Sequence, residues 1–287
     1  MIKHLVSIDQ YDKKSLHNFL KSVSSEKYGF RYQDFTTKKQ IATLFYEPST
    51  RTSASFHSAA TQLGHTVLPI NEVNYSSVTK GETLEDTIKT IASYVDLIVL
   101  RHGEKGAAQR AAEVSPVPII NAGDGIGEHP TQTLLDLYTI WEKFGKIDNL
   151  TITMMGDLKN GRTIHSLLQS LKHYNVKINL ISPDNLTAPF RYANGVNISL
   201  SLILTTNICQ QTDVLYMTRV QKERGSIGQY ELTKDNVDNF KENMIVMHPF
   251  PRNEEIPKWF DTDPRAYYFK QIENGLYVRM ALLMSYK

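Results

Sequence analysis

Short, continuous apolar runs alternate along this chain with stretches in which apolar positions recur every three or four residues. The first kind, at Ile41 to Tyr46, Leu97 to Leu100, Val117 to Ala122, Leu150 to Met155, Val176 to Ile181, Val214 to Met217 and Met244 to Met247, reads as buried β-strands. The second kind reads as amphipathic helices. Phe56, Ala59, Ala60 and Leu63 form one stripe closed by Gly64, and Leu84, Ile88, Ile91, Ala92 and Val95 form another. Pro130 suits the first position of a helix carrying Leu134, Leu137, Tyr138 and Trp141. Ile164, Leu167, Leu168 and Leu171 mark the next. A last helix spans about Ala266 to Ser285, with Phe269, Ile272, Leu276 and Leu283 on one face and Gly275 as a tolerated defect. Asn194 to Thr206 fits neither pattern. Such alternation predicts an α/β fold of parallel sheets covered by helices. Because the pattern begins afresh at Leu150, two doubly wound domains are expected: 1–130, with the C-terminal helix 271–287 packing back on it, and 131–270. The site is expected in the cleft between them.

Five polar strings stand at the ends of apolar runs: Ser49-Thr50-Arg51-Thr52, Arg101, His129-Pro130-Thr131-Gln132, Arg162 and Arg219-Val220-Gln221. Doubly wound folds bind ligands beyond the carboxyl ends of their strands, so this placement predicts one shared anion pocket. Ser49 to Thr52 would offer hydroxyls, a guanidinium and backbone N–H groups at the positive end of a helix, which suits phosphate. An ordinary helix cap is the plain alternative. The string is not a P-loop, since the Gly-Lys-Ser/Thr ending is absent. Arg101 ends an apolar strand, and a solvated surface arginine is its alternative reading. His129 could donate a hydrogen bond, act as a base or bind metal. No second His, Cys or carboxylate stands around it at ligand spacing, so no metal is expected. Gln132 shares its helix face and offers both a donor and an acceptor. Gly123, Gly125 and Gly127, and the turn Gly156 to Gly161, invite a dinucleotide reading. Neither has the G-x-G-x-x-G spacing with an acidic ribose partner, so no nicotinamide cofactor is expected. Ser76 to Glu82 reads as a loop able to carry Lys80 to an anion. Arg219 and Gln221 would point the same way under strand alternation.

Composition narrows the class. The chain has 287 residues, and Lys+Arg 32 against Asp+Glu 30 gives a formal charge of +2. With no basic stripe, that balance argues against a nucleic-acid or membrane surface. The single Cys209 excludes an internal disulfide and suits a reducing compartment. Met1-Ile2-Lys3-His4-Leu5 lacks the apolar core of a secretory signal, and no run approaches a membrane span, so the cytoplasm is expected.

Seven motifs taken in order resemble the aspartate carbamoyltransferases, within the aspartate/ornithine carbamoyltransferase family. They are Phe45 to Thr52, Lys80 to Leu84, Leu100 to His102, Gly125 to Gln132, Gly156 to Thr163, Tyr216 to Arg224, and His248 to Arg252, and the likeness runs from Glu47 to about Met280. The resemblance implies transfer of a carbamoyl group from carbamoyl phosphate to L-aspartate, in pyrimidine synthesis, without a cofactor. It places phosphate contacts on Ser49, Thr50, Arg51, Thr52 and Arg101, and carbonyl-oxygen donors on Thr52, Arg101 and His129. The carbamoyl NH₂ falls to Gln132 and to the backbone carbonyls of Pro249 and Phe250, where Phe250 replaces the commoner Leu. The carboxylates of aspartate fall to Arg162, Arg219 and Gln221. Ser76 and Lys80 match a loop donated by a neighbouring chain, Ser76 to carbamoyl phosphate and Lys80 to both substrates as a further catalytic residue, which implies a homotrimer with shared sites.

The charges fit this assignment independently. Two substrates with about four negative charges between them would meet Arg51, Arg101, Arg162, Arg219 and Lys80. Two unit charges 4 Å apart interact by roughly 4 kcal/mol at an effective dielectric near 20, so these cations favour anionic ligands strongly. An ornithine carbamoyltransferase is the near alternative, but its acceptor is a cation and that family has Cys in the turn that reads His248-Pro249-Phe250-Pro251 here. A non-catalytic binding or scaffold relative is the other alternative, and the family's site side chains are all present against it. The stretch 225–242 is short compared with many relatives, and weaker aspartate affinity is expected from that.

Overall fold

Each apolar run becomes a parallel strand in the computed structural model, which describes residues 3–29, 38–71, 81–219 and 230–286. The first half contains α1 (Lys13–Gly29), β1 (Gln40–Phe45), α2 (Thr50–Gln62), β2 (Thr66–Asn71), α3 (Leu84–Ala92), β3 (Leu97–His102), α4 (Ala107–Val114), β4 (Ile119–Asp124) and α5 (Pro130–Phe144). The second contains β5 (Thr151–Met155), α6 (Arg162–Leu171), β6 (Lys177–Ile181), α7 (Phe190–Ala193), β7 (Asn197–Ser201), α8 (Thr206–Gln211), β8 (Val214–Met217), α9 (Lys234–Asp238), β9 (Ile245–Met247) and α10 (Tyr268–Met284). The chain divides into two compact units, Met1–Tyr138 with Asn274–Lys287, and Thr139–Glu273. The divisions fall inside α5 and α10.

The first unit holds a sheet in the order β2-β1-β3-β4, and the second a sheet in the order β7-β6-β5-β8-β9. Every pairing is parallel. Helices must then cover the sheet faces, which is why the central strands are apolar on both sides rather than alternating. In the first unit Ala42, Leu44 and Ile98 pack with Leu84, Ile88 and Ala111. In the second, Leu215, Met217 and Val246 pack with Leu232, Phe260 and Tyr268. Strand order reverses between β1 and β3 in one sheet, and between β5 and β8 in the other. At such reversals the flanking helices leave on opposite faces and open a crevice at the strand ends. Both reversals coincide with arginine-bearing strings.

Several elements escape the sequence reading, among them α1, β2, α4 and the short helices α7, α8 and α9. In α1, Leu16, Phe19, Leu20 and Val23 are buried in a regular helical stripe. The strand β2 contains Pro69, which is tolerated because β2 lies at the sheet edge. Alanines rather than large apolar residues make the buried face of α4, at Ala107, Ala108 and Ala111. The ambiguous stretch Asn194 to Thr206 holds β7 and ends where α8 begins.

The face assigned to the last helix needs correction. Phe269 and Ile272 are 52% and 41% exposed, while Gln271, Asn274 and Arg279 are buried with Val278 and Leu282. Leu283 is buried as expected, but the inward face of α10 is partly polar, so a stripe drawn from apolar residues alone misplaces Phe269 and Ile272. Gly275 is also no defect: a Cβ there would lie 2.6 Å from Arg279 Nη1 and 3.3 Å from Leu135 Cδ2. No helix among the described residues is long and apolar enough to cross a membrane.

Candidate active site

In the first unit three strings lie at the same end of neighbouring strands. Phe45 of β1 pairs with Arg101 of β3, and His102 of β3 pairs with Asp124 of β4. Ser49, Arg101 and His129 therefore leave the sheet side by side.

Ser49 is the N-cap residue of α2, yet its hydroxyl makes no capping hydrogen bond, and the first turn carries no acidic residue. Where other helices begin on threonine, the hydroxyl caps them conventionally. Thr83, Thr205 and Thr233 accept from the N–H groups of Asp86, Ile208 and Asn236. An ordinary cap is thus the poorer account of Ser49. The first N–H groups of a helix have no partner within it, and here they sit beside Thr50, Arg51 and Thr52 at the positive end of the dipole. Thr50 and Arg51 are exposed, whereas Thr52 is buried.

Arg101 is held rather than solvated. Its Nε lies 3.4 Å from Glu47 Oε2 and its Nη1 donates to the Ala122 carbonyl at 3.3 Å. Glu47 comes from the loop that leads into Ser49, so one carboxylate ties the β1 exit to the β3 exit. The neighbouring His102 packs on Tyr46 with ring centroids 4.6 Å apart, and burial pushes its pKa below the usual histidine value.

The loop before His129 is braced on both sides. Asp124 accepts from the backbone N–H of Glu128 at 2.7 Å and of Gly106 at 2.8 Å. Glu128 accepts from the Ser7 hydroxyl at 2.8 Å and the Ile8 N–H at 2.9 Å, and burial raises its pKa despite those bonds. Gly125, at φ 53°, passes so close to the β3 exit that a Cβ would sit 2.3 Å from the Gly103 carbonyl oxygen. The glycines here serve loop packing, not a dinucleotide turn. His129 is 4% exposed at the head of α5, with its Nδ1 3.3 Å from the Thr131 hydroxyl. Gln132, one turn on, donates from Nε2 to Asp136 Oδ1 at 2.9 Å.

The second unit repeats the design with different groups. Arg162 is the first residue of α6, which follows β5 through a turn capped by Gly161. That turn is fixed by buried Asp157, which accepts from the Asn160 N–H at 3.0 Å. Thr218 donates its N–H to the Met155 carbonyl at 2.8 Å, so Arg219 leaves β8 directly beside the β5 exit. Arg162 and Arg219 thus flank the reversal point of this sheet.

Pro249 and Phe250 follow β9. Phe250 has φ 56°, a left-handed backbone that costs a non-glycine residue about 1–2 kcal/mol. His248 accepts the Phe250 N–H at Nδ1, 2.8 Å, so its ring proton resides on Nε2, 2.9 Å from Glu255 Oε1. Burial alone would raise the pKa of Glu255. Hydrogen bonds from His248 and the Asn253 N–H outweigh it and bring the group below its usual value. The Phe250 ring contacts Tyr268 and Phe269, each at 5.9 Å. Arg252 of the same motif is committed elsewhere, donating from Nη2 to Asp261 at 2.6 Å and from Nη1 to the Tyr268 hydroxyl at 2.9 Å.

Ser76, Lys80 and Gln221 lie outside the described residues, as do residues 225–229 of the short stretch 225–242. Among the described residues no group of three His, Cys, Asp or Glu could hold a metal ion. The sequence reading missed Glu47, Asp136, Glu255 and Arg279 as supports of the site. Asp136 had a usable signal, being one helical turn from Gln132. The others meet their partners only through the fold.

Comparison with known proteins supports the family and the fold. A family model for the carbamoyl-P binding domain of aspartate/ornithine carbamoyltransferases matches residues 3–142, and one for the Asp/Orn binding domain matches residues 148–286. The aspartate carbamoyltransferase catalytic subunit of Parabacteroides distasonis is 43% identical over 98% of this chain and 96% of its own length. Multifunctional protein pyr1-3 of Dictyostelium discoideum is 46% identical over 98% of this chain, which spans only 13% of that protein. The crystal structure of aspartate transcarbamoylase from Trypanosoma cruzi, in complex with carbamoyl aspartate and phosphate, superposes with a TM-score of 0.93 at 40% identity, covering 99% of this chain and 95% of the other. The chain belongs to the aspartate/ornithine carbamoyltransferase family.

Proposed function

We propose that this enzyme transfers the carbamoyl group of carbamoyl phosphate to the amino group of L-aspartate, giving N-carbamoyl-L-aspartate and phosphate. The observation that carries the reading is the placement of guanidinium groups at both strand-order reversals, Arg51 and Arg101 at one, Arg162 and Arg219 at the other. The first pair, with the uncapped start of α2, suits a phosphate. The second suits the two carboxylates of an acidic amino acid, which an ornithine side chain would not match. The relatives that share this chain's full length carry the same activity in their names, and the multifunctional proteins pyr1-3 and URA2 contain a matching segment. A place in de novo pyrimidine synthesis follows from both.

In the reaction the aspartate amine attacks the planar carbamoyl carbon. The new C–N bond forms and the bond from the carbamoyl carbon to the bridging oxygen breaks; negative charge passes through the carbonyl oxygen onto the departing phosphate, which also takes the proton lost from the amine. Catalysis then needs donors fixed where charge develops, and no covalent enzyme intermediate. Thr52, Arg101 and His129 serve the carbonyl oxygen. The Thr131 hydroxyl, 3.3 Å from Nδ1, suits a neutral imidazole that donates from Nε2. Ser49, Thr50, Arg51 and the α2 N–H groups hold the phosphate, with Ser76 and Lys80 added from a neighbouring chain. Gln132 and the Pro249 and Phe250 carbonyls accept from the carbamoyl NH₂, and Gln221 joins Arg162 and Arg219 on aspartate. The working unit is a homotrimer, and the cytoplasm is its compartment, in keeping with the single buried Cys209.

Acceptor choice tests the reading. Purified protein supplied with carbamoyl phosphate is expected to form carbamoyl aspartate from L-aspartate and no citrulline from L-ornithine. Activity on ornithine alone would overturn the assignment, and inactivity with both would favour a non-catalytic relative.

A further inference from the structure

Gln132 can read an amine only if its amide presents oxygen, and an amide side chain is nearly symmetric in shape, so something must choose its orientation. Gln132 and Asp136 stand one turn apart on α5, 9% and 0% exposed, with Gln132 Nε2 donating to Asp136 Oδ1 at 2.9 Å. An ionised carboxylate has acceptors alone. It therefore selects the amide NH₂ and turns Oε1 the other way.

We propose that Asp136, balanced by Arg279, is a positioning residue that fixes the Gln132 amide with its oxygen toward the carbamoyl NH₂. This rests on reading Gln132 as the partner of that amine.

A buried carboxylate needs a cation, and α10 supplies one. Arg279 is 4% exposed and donates from Nη1 to the Gly275 carbonyl at 2.9 Å. Burial pushes its pKa down to about 10 while the charge of Asp136 opposes the fall, so the guanidinium stays protonated at neutral pH. Its plane lies over the Phe56 ring, 5.2 Å from the centroid. Phe56 belongs to α2, whose first turn carries Ser49 to Thr52. One buried cation thus packs on the phosphate-binding helix and lies within the field of the anion that orients Gln132. Gly275 leaves the space that the guanidinium fills, since a Cβ would approach Nη1 to 2.6 Å.

The inference separates orientation from bulk stability through the choice of ligand. Acetyl phosphate matches carbamoyl phosphate but carries a methyl group where the amine would be, so it gains nothing from an oriented acceptor. In D136N the new side chain offers both an oxygen and an NH₂, and Gln132 can bind it either way round. Titration calorimetry of the whole enzyme, without aspartate, is expected to show carbamoyl phosphate weakened about tenfold, the loss of one buried hydrogen bond, and acetyl phosphate changed less than about twofold. Equal weakening of both ligands would mean a structural role only, and no change in either would mean no role. Should D136N fail to fold with Arg279 left unbalanced, D136N/R279M removes the cation with its anion and is read in the same way. The two readings fail separately. A wild-type protein that makes no carbamoyl aspartate refutes the function, whereas an active wild type with unchanged ligand discrimination in D136N refutes only the positioning role.

Discussion

Replacing His129 by alanine is expected to lower kcat by about 100- to 1,000-fold, the usual cost of losing one fixed donor at a developing oxyanion. The side chain is buried at the head of α5, beyond the carboxyl end of β4, where it can meet the same ligand as Thr52 and Arg101. A donor of this kind strengthens its bond as charge gathers on the carbonyl oxygen. Its removal should therefore depress kcat and kcat/KM together and change KM for carbamoyl phosphate little. Steady-state kinetics on H129A, with circular dichroism to confirm the fold, makes the comparison. A near-normal kcat would remove His129 from the reaction. A raised KM at unchanged kcat would recast it as a ground-state contact.

The second large effect concerns sites shared between chains. R51A and K80A are each expected to be nearly inactive, because each removes a cation from the phosphate or from the groups beside it. If Lys80 comes from the next chain of a closed ring, an intact site forms wherever a chain with Arg51 meets a neighbour with Lys80. Every mixed trimer then holds one such site in three, and random exchange of equal amounts restores about a quarter of full activity. Subunit exchange followed by assay reads this directly, with native mass spectrometry to prove that hybrids form. Proven hybrids without activity would mean that each chain works alone.

The sequence was most legible where physics leaves few choices. Fully covered parallel strands must be apolar throughout, so β1, β3, β5, β6, β8 and β9 announce themselves, and the polar strings at their ends mark the ligand edge. Less visible were elements whose signal is small or mixed. The buried face of α4 is alanine, β2 holds a proline that an edge strand alone tolerates, and α10 buries Gln271, Asn274 and Arg279, so the largest apolar residues misled. The proposed contacts of the site come from the sequence because anions demand arginine, hydroxyls and helix starts. Their supports were hidden. Glu47 meets Arg101 across a long stretch of chain, a separation that no local pattern encodes, and His248 meets Phe250 and Glu255 through a turn whose shape the sequence alone does not declare. Ser49 shows what structure adds to a motif, since its sequence suits a cap or a phosphate site, and only the missing capping bond separates the two.

Direct transfer between bound substrates is the centre of this account, and rapid-quench kinetics with carbon-13-labelled carbamoyl phosphate tests it most directly. Without aspartate, no burst of phosphate and no labelled protein are expected. With aspartate, phosphate and labelled carbamoyl aspartate should appear together in equal amounts from the first turnover. A burst of phosphate before any carbamoyl aspartate, or phosphate released with none formed, would contradict it.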